Sequence, residues 1–586
     1  MNFHLTNTLH QIFSDAAAGL AEFGDEFNPD IRTADPRFGD FQANGVLPFA
    51  KKQKTNPRAL AGKLVDALPK SDLAEKGVTL EIAGPGFINI RLGPEFLLQW
   101  LSTYQSKEDL SQGASALYRG RKMVVDFSSP NTAKQMHVGH IRSMVIGESI
   151  ARLLDFCGAE VIRDNHLGDW GTPMGKVLLG YRRFLDREAL EKDALEELER
   201  LYKKVNALGE EDPKILDEAR AELVRLQNKE PDSYKLWQEI IAINEKALER
   251  IYQLLDIRFD HHLGESFYED KLEPVYRELS ELKISEESQG AQVVFHPEHP
   301  RFKSQPFIIR KSDGASNYAT TDLATALYRV EEWKADGLVY VTDGRQQDHF
   351  QQLFLTVEKW FSKTSRPIPK MSHVWFGTIL GEDGKAIKTR SGDPIRLKDL
   401  LREAEERALR IVREKNPDLP MEESQKIAQT VGIAAIKYAD LSQNRTSDYV
   451  FAWDKLLSFD GNTAPYLLYA VARIHSIFSK ADISPYDDGD TVGEASPFET
   501  PQELALARKL TAFSPVLAQT TNDLRPHYLC TYLFELATEF SAFYNADKVL
   551  TADPKVRSRR ILLCRRTLLF METGLHLLGV QTLKKM

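Results

Sequence analysis

The run Lys122-Met-Val-Val-Asp-Phe narrows the possible folds of this chain more than any other feature. A short, nearly unbroken apolar stretch marks a strand covered on both faces, and such strands belong to parallel sheets packed between helices. The run breaks at Ser128-Ser-Pro-Asn, and the spacing then predicts a helix over residues 137–156. Gly158-Ala-Glu-Val-Ile-Arg-Asp supplies a second strand. The alternation returns as a helix over 321–333, a strand at Gly337-Leu-Val-Tyr-Val-Thr-Asp and a helix over 349–361. Strand–helix–strand alternation of this kind predicts an α/β fold with a doubly wound parallel sheet.

Other segments surround that core. The first 110 or so residues read as a small α+β unit: an amphipathic start over 3–23, a helix opening at Asn56-Pro57, and two β-rich runs around Ala83-Gly-Pro-Gly, which predict a hairpin. Residues 186–258 are rich in Glu, Lys, Arg and Leu, and read as a charged helical hairpin inserted into the sheet. From about Asp399 onward the chain reads as almost entirely helical, with a polar loop over 485–501. At 586 residues the chain is long enough for about four domains.

Composition excludes more than it identifies. The three cysteines, Cys157, Cys530 and Cys564, are too few and too scattered for a disulfide framework or a Cys-x-x-Cys zinc site. No basic leader followed by an apolar core opens the chain, and no run reaches the ~18 apolar residues of a spanning helix, so a cytoplasmic protein is expected. No Gly-x-x-x-x-Gly-Lys-Ser/Thr loop occurs, which leaves P-loop chemistry unsupported. The net charge of −9 gives no hint of a nucleic-acid partner.

The chemistry is concentrated between Asp126 and His140. His137-Val-Gly-His140 follows a strand and a turn and opens a helix. A helix N-terminus offers unpaired amides and a positive dipole to phosphate. Two histidines add donors, and Gly139 lets a flat base approach the backbone. The competing reading is a pair of capping histidines.

Here the sequence resembles the class I aminoacyl-tRNA synthetases, and among them the arginyl-tRNA synthetase family. The resemblance runs through Phe38-Gly-Asp-Phe-Gln, Gly84-Pro-Gly-Phe-Ile-Asn, Phe127-Ser-Ser-Pro-Asn with the histidine motif, Asn165-His-Leu-Gly-Asp-Trp-Gly, Tyr318-Ala-Thr-Thr-Asp-Leu and Gly461-Asn-Thr-Ala-Pro-Tyr. It implies a two-step reaction: arginine and ATP give arginyl-adenylate and pyrophosphate, and the arginyl group then moves to the terminal ribose of tRNA(Arg). His137, Gly139 and His140 are then expected to bind ATP, with both histidines stabilising the transition state. The family's second signature, a Lys-Met-Ser-Lys-Ser loop, corresponds to Lys388-Thr-Arg-Ser-Gly. Lys388 matches its first lysine and Ser391 stands where the second belongs; Lys134 is the expected replacement cation. Alone, that loop reads as a solvated basic segment.

A guanidinium is a planar fork of donors best met by carboxylates and other acceptors. Tyr318 and Asp322 are four residues apart, on one face of a predicted helix start. By resemblance they bind the substrate guanidinium together with Gln346, and Asp126, Ser129, Asn131 and His137 hold the α-amino and carboxylate groups. Without the resemblance, Asp322 reads as a helix cap.

The resemblance also assigns the helical C-terminal domain to the anticodon and the N-terminal domain to the tRNA elbow. Phosphate binding requires local positive charge. Residues 51–63 hold five basic and no acidic residues, and residues 555–586 hold eight basic and one acidic. Phe87 and Asn89 are the expected elbow contacts, and Tyr466, Tyr469 and Met586 the expected anticodon contacts.

The expected organisation is thus an N-terminal α+β domain (1–112), a Rossmann-like doubly wound catalytic domain (113–370) with a helical insertion at about 182–305, a signature-loop and linking region (371–440), and an all-α anticodon-binding bundle (441–586). The expected activity is ATP-dependent ligation of L-arginine to tRNA(Arg), requiring tRNA for activation, with Mg2+ carried by the ATP phosphates and no dedicated metal site. A monomer acting without DNA or membrane is expected. A nucleotidylyltransferase with a His-x-Gly-His site, or a non-catalytic tRNA-binding relative, is the alternative.

Overall fold

The apolar run becomes strand β1 (Lys122–Asp126), an inner strand of a four-stranded sheet. Its order is β4 (Lys370–His373), β3 (Gly337–Tyr340), β1, β2 (Glu160–Asp164), and every pair is parallel. Helix α1 (Val138–Phe156) crosses from β1 to β2, α2 (Tyr318–Glu331) leads into β3, and α3 (Gln347–Lys363) crosses to β4. Leu323, Ala326, Leu353, Val357 and Trp360 bury Val124 and Leu338 of the sheet. Full burial of each valine or leucine side chain among them stabilises by roughly 1.5–3 kcal/mol.

The computed structural model describes residues 3–24, 26–35, 37–69, 73, 77–312, 314, 317–387, 394–487 and 495–586. They fall into two compact units, Gly120–Asp155 with Ala159–Leu456, and Met1–Arg119 with Phe156–Gly158 and Leu457–Met586.

Helix α2 begins three residues earlier than its apolar periodicity implies, because Asn317 caps it. The Asn317 side chain accepts from the Ala319 amide at 3.0 Å and donates to the Ile308 carbonyl at 2.7 Å. Asp322 is therefore not the cap.

The charged stretch after β2 is four helices rather than a hairpin: Arg187–Lys192, Ala194–Glu211, Pro213–Gln227 and Pro231–Leu254. Asp186, Asp193 and Asp212 each cap a helix start, and proline opens the last two, so the chain turns wherever a capping side chain or proline interrupts it. Leu198, Leu201, Leu226 and Ile240 pack on Met174, Val177 and Leu178 of the helix Thr172–Phe184. A small antiparallel sheet follows, Ser285–Ser288, Ala291–Val294 and Phe307–Arg310, and it leads into α2.

In the other unit, Val78–Ala83 and Phe87–Leu92 form the expected hairpin within a four-stranded sheet. Its turn needs glycine: Gly86 has φ +146° and an added Cβ would stand 2.9 Å from the Pro57 carbonyl carbon. The C-terminal helices Pro501–Thr511 and Phe513–Asp523 share this unit with the N-terminal segment. Arg508 Nε lies 3.1 Å from Asp40 Oδ1, and Ser514 Oγ lies 3.2 Å from His4 Nδ1. No described helix is long and apolar enough to cross a membrane.

Candidate active site

The backbone just past β1 is held in an uncommon conformation. Ser128, Ser129 and Ala133 have φ of 71°, 45° and 63°. Non-glycine residues persist there only when their surroundings over-determine them, and they cluster at functional sites. Ser128 donates its amide to Ser143 Oγ of α1 at 2.9 Å, and Ser129 donates to Asn165 Oδ1 at 3.1 Å. Thr132 donates to the Gly168 carbonyl at 2.9 Å. The 165–171 motif is thereby a brace for the 128–133 loop.

Asp126 closes β1 and is buried. It accepts from Ser129 Oγ at 3.0 Å, and its second oxygen lies 2.6 Å from Arg329 Nη2. The same nitrogen lies 2.8 Å from Asp164 Oδ2. Burial pushes the Asp164 carboxyl up, against the lowering pull of Arg329. Arg329, on α2, thus ties the helix that carries Tyr318 and Asp322 to the ends of β1 and β2.

His137 and His140 open α1 with their rings in contact, centroids 4.0 Å apart and planes inclined by 46°. His137 Nδ1 accepts the Gly139 amide and His140 Nδ1 accepts the His137 amide, each at 3.1 Å. In the neutral rings the hydrogen is therefore on Nε2 of both. Burial lowers His137, and burial together with His137 lowers His140 to about 4, so the pair is uncharged at neutral pH. Neutral Nε2–H donors suit contact with a nucleotide without requiring a proton first. The segment after the signature loop pairs with this motif: Val138 donates to the Ile395 carbonyl and Leu397 to the Met136 carbonyl, both at 2.9 Å. Lys388 itself lies outside the described residues. Lys134 is exposed, with Nζ 5.8 Å from the centre of the Tyr202 ring.

A cavity of about 430 Å³ opens over the strand ends. Asp126, Ser129, Asn131, Tyr318, Asp322 and Gln346 all line it, so six of the seven residues expected to hold arginine converge on one space. His137 is not among the lining residues. Asp322 Oδ2 lies 2.6 Å from His349 Nε2, and the His349 ring packs on Tyr318 at 4.7 Å.

Glu265, which sequence reasoning missed, also lines this cavity. It begins the short helix Glu265–Tyr268. The Glu265 amide donates to the Leu167 carbonyl at 3.0 Å, and the next amide, Ser266, donates to Asp169 Oδ1 at 2.9 Å. Gly264 permits this approach, because a Cβ there would meet the Asp169 carboxylate at 2.5 Å. Burial raises the Glu265 carboxyl to about 7, with the Asp169 and Asp322 charges adding to the rise against the lowering effect of His166.

The helical bundle contains a second cavity, of about 960 Å³, lined by Tyr469, Arg473, Tyr486, Tyr544, Lys584 and Met586 among others. The Arg473 guanidinium lies over the Tyr544 ring at 4.3 Å. Tyr466 is not a lining residue; its ring packs on Phe534 at 5.5 Å. In the N-terminal sheet, Asn89 is buried and accepts from Gln42 Nε2 at 2.7 Å, while Phe87 is half-buried.

The basic C-terminal run does not present the cationic surface that its charge count suggests. Arg559, Arg560, Arg565 and Arg566 are all buried. Arg559 and Arg560 share Glu503, with Glu499 and Asp547 completing the network, and Arg566 donates to the Leu101 carbonyl at 2.6 Å. Half of the eight basic residues counted there are thus buried, and Arg559 and Arg560 are paired with carboxylates.

Comparison with known proteins agrees along the chain. The family model for the class I tRNA synthetase (R) catalytic domain matches residues 105–453, that for the arginyl tRNA synthetase N-terminal domain matches 7–92, and that for the DALR anticodon binding domain matches 467–586. Among curated relatives, the arginine–tRNA ligase of Laribacter hongkongensis is 42% identical over 99% of this chain and 100% of its own. That of Fusobacterium nucleatum is 43% identical over 94% of each. Among solved structures, the arginyl-tRNA synthetase of Thermus thermophilus superposes with a TM-score of 0.82 at 25% identity, covering 99% of this chain and all of that one. The Plasmodium falciparum enzyme gives 0.80 at 26%, covering 100% of this chain and 99% of that one. With a parallel sheet, a paired histidine motif and matches that span nearly every residue, the chain belongs to the arginyl-tRNA synthetases, a family of class I aminoacyl-tRNA synthetases.

Proposed function

We propose that this chain ligates L-arginine to tRNA(Arg) through an arginyl-adenylate, and that the 430 Å³ cavity is where arginine sits. The observation that carries the reading is the pairing of Asp322 and Glu265 in the same cavity as Asp126, Ser129 and Asn131. Two carboxylates suit a guanidinium fork, and an acidic residue beside hydroxyl and amide groups suits an α-amino and carboxylate end.

In this scheme the substrate carboxylate attacks the α-phosphorus of ATP and pyrophosphate leaves. A hydroxyl of the terminal tRNA ribose then attacks the adenylate carbonyl and AMP leaves. The protein supplies positioning and charge stabilisation rather than a covalent intermediate. His137 and His140 offer Nε2–H donors to the nucleotide, and Gly139 leaves room beside the backbone. Lys388 and Lys134 are the cations assigned to the phosphates, and magnesium enters with the triphosphate, a hard cation that prefers oxygen ligands and water. Phe87 and Asn89 are assigned to the tRNA elbow. The cavity formed by Tyr469, Arg473, Tyr544 and Met586 is assigned to unstacked anticodon bases, for which an arginine over a tyrosine face is a suitable platform. A cytoplasmic monomer acting without DNA or membrane partners completes the proposal.

The test is arginine-dependent ATP–pyrophosphate exchange with and without tRNA(Arg). Exchange is expected only with tRNA present; robust exchange driven by lysine or glutamine overturns the assigned specificity. Lys134→Ala is expected to lower the activation rate about tenfold, the loss of one charge-assisted phosphate contact. An unchanged rate in single-turnover measurements removes Lys134 from the phosphate site.

A further inference from the structure

We propose that His349 is a positioning residue for arginine recognition, holding the Asp322 carboxylate in the plane that a guanidinium fork requires. The proposal rests on the reading of the cavity as the arginine pocket. His349 lies on α3, one turn beyond Gln346, and reaches across to α2. Its Nε2 is 2.6 Å from Asp322 Oδ2, and because an ionised carboxylate only accepts, the ring donates.

The donor is itself held in place. The His349 ring packs on Tyr318 at 4.7 Å, on Phe350 at 5.1 Å and on Phe307 at 5.6 Å between centroids. Only 9% of its side chain is exposed. The terminal torsion of an aspartate is broad, so a carboxylate without a lateral partner turns freely about it. With one oxygen pinned by a wedged imidazole, the plane of the Asp322 carboxylate is set by α3 rather than by the ligand. A guanidinium depends on that plane, because its N–H groups lie in a fixed fork; an ammonium is a compact point charge and depends on it much less. His349 therefore favours a planar cation over the ammonium of lysine without touching the substrate.

The experiment is tRNA-dependent ATP–pyrophosphate exchange on the full chain, comparing His349→Gln, His349→Leu and Asp322→Asn, together with His349→Leu combined with Asp322→Asn. Glutamine keeps a donor near the Nε2 position, whereas leucine fills similar space without one. His349→Leu is expected to raise the arginine KM about tenfold, the loss of one hydrogen bond to a charged group, while the ATP KM and the kcat at saturating arginine stay within about twofold. His349→Gln is expected to remain within about threefold of the unsubstituted protein. In the Asp322→Asn background, His349→Leu is expected to add less than about twofold, because the two residues act through one contact. An unchanged arginine KM in His349→Leu, a glutamine variant as impaired as the leucine one, equal losses toward arginine and ATP, or full additivity with Asp322→Asn overturns the proposal. Asp322→Asn alone leaving the arginine KM unchanged overturns the pocket reading itself, which separates the two failures.

Discussion

Replacing Asp322 with asparagine is expected to raise the arginine KM roughly 100-fold while the ATP KM stays within about twofold. The substitution keeps the shape of the side chain and removes its charge. Asp322 is one of two carboxylates in the cavity assigned to the guanidinium, and its side chain is only 18% exposed. Removing one partner of a hydrogen-bonded charge pair away from water costs about 2–5 kcal/mol, largely because the other charge loses its partner. ATP presents phosphates and a base, neither of which gains from a carboxylate, so its binding has no reason to follow. Steady-state kinetics with each substrate varied in turn separates the two affinities. Equal losses in both make Asp322 a structural residue of α2 and remove it from the binding site.

The difference between what was legible in the sequence and what was not follows from the range of the signals. The buried strands and crossover helices were legible because apolar periodicity is local: Lys122–Asp126 and Gly337–Tyr340 form where the pattern places them. The start of α2 was displaced because a cap, Asn317, decides it rather than an apolar residue. The charged insertion reads as a hairpin because a helical period extends across Asp212-Pro213 and Glu230-Pro231, where the chain turns.

Site residues divide in the same way. Asp126, Ser129, Asn131, Tyr318, Asp322 and Gln346 lie near strand ends or helix starts within motifs, and the parallel sheet gathers them into one cavity. Glu265 carries no such mark. It stands in a four-residue helix, and the contacts of Gly264, Glu265 and Ser266 with Leu167 and Asp169, nearly a hundred positions earlier, bring it to the cavity. The buried arginines failed as a tRNA signal for the complementary reason. A linear charge count cannot see that Arg559 and Arg560 meet Glu503, which is 56 and 57 positions away.

Glu265 yields the second large effect, and it depends on pH. Its carboxyl titrates near 7 because burial disfavours the charged form and the Asp169 and Asp322 charges repel it further. With the folded value raised above the ordinary carboxyl range, this group contributes most to the stability of the ligand-free protein below its unfolded value, and that contribution is lost as pH rises through 7. Arginine reverses the balance, since its guanidinium prefers the ionised carboxylate. Arginine binding is therefore expected to release a proton from Glu265 below pH 7, with affinity rising with pH. The ionised fraction grows from about one-tenth at pH 6 to about nine-tenths at pH 8, so affinity through this group is expected to increase about tenfold over that interval. Glu265→Gln is expected to weaken arginine binding roughly 100-fold at pH 8 but only about tenfold at pH 6, where the unsubstituted carboxyl is already mostly neutral. The comparison matters because other groups titrate in the same interval, while only Glu265→Gln removes this carboxyl. Calorimetric titration of arginine in buffers of different ionisation enthalpy measures affinity and proton release together. A variant that loses the same factor at both pH values, or a parent that releases no proton near pH 6, places Glu265 outside the guanidinium contact and leaves Asp322 as the carboxylate that carries it.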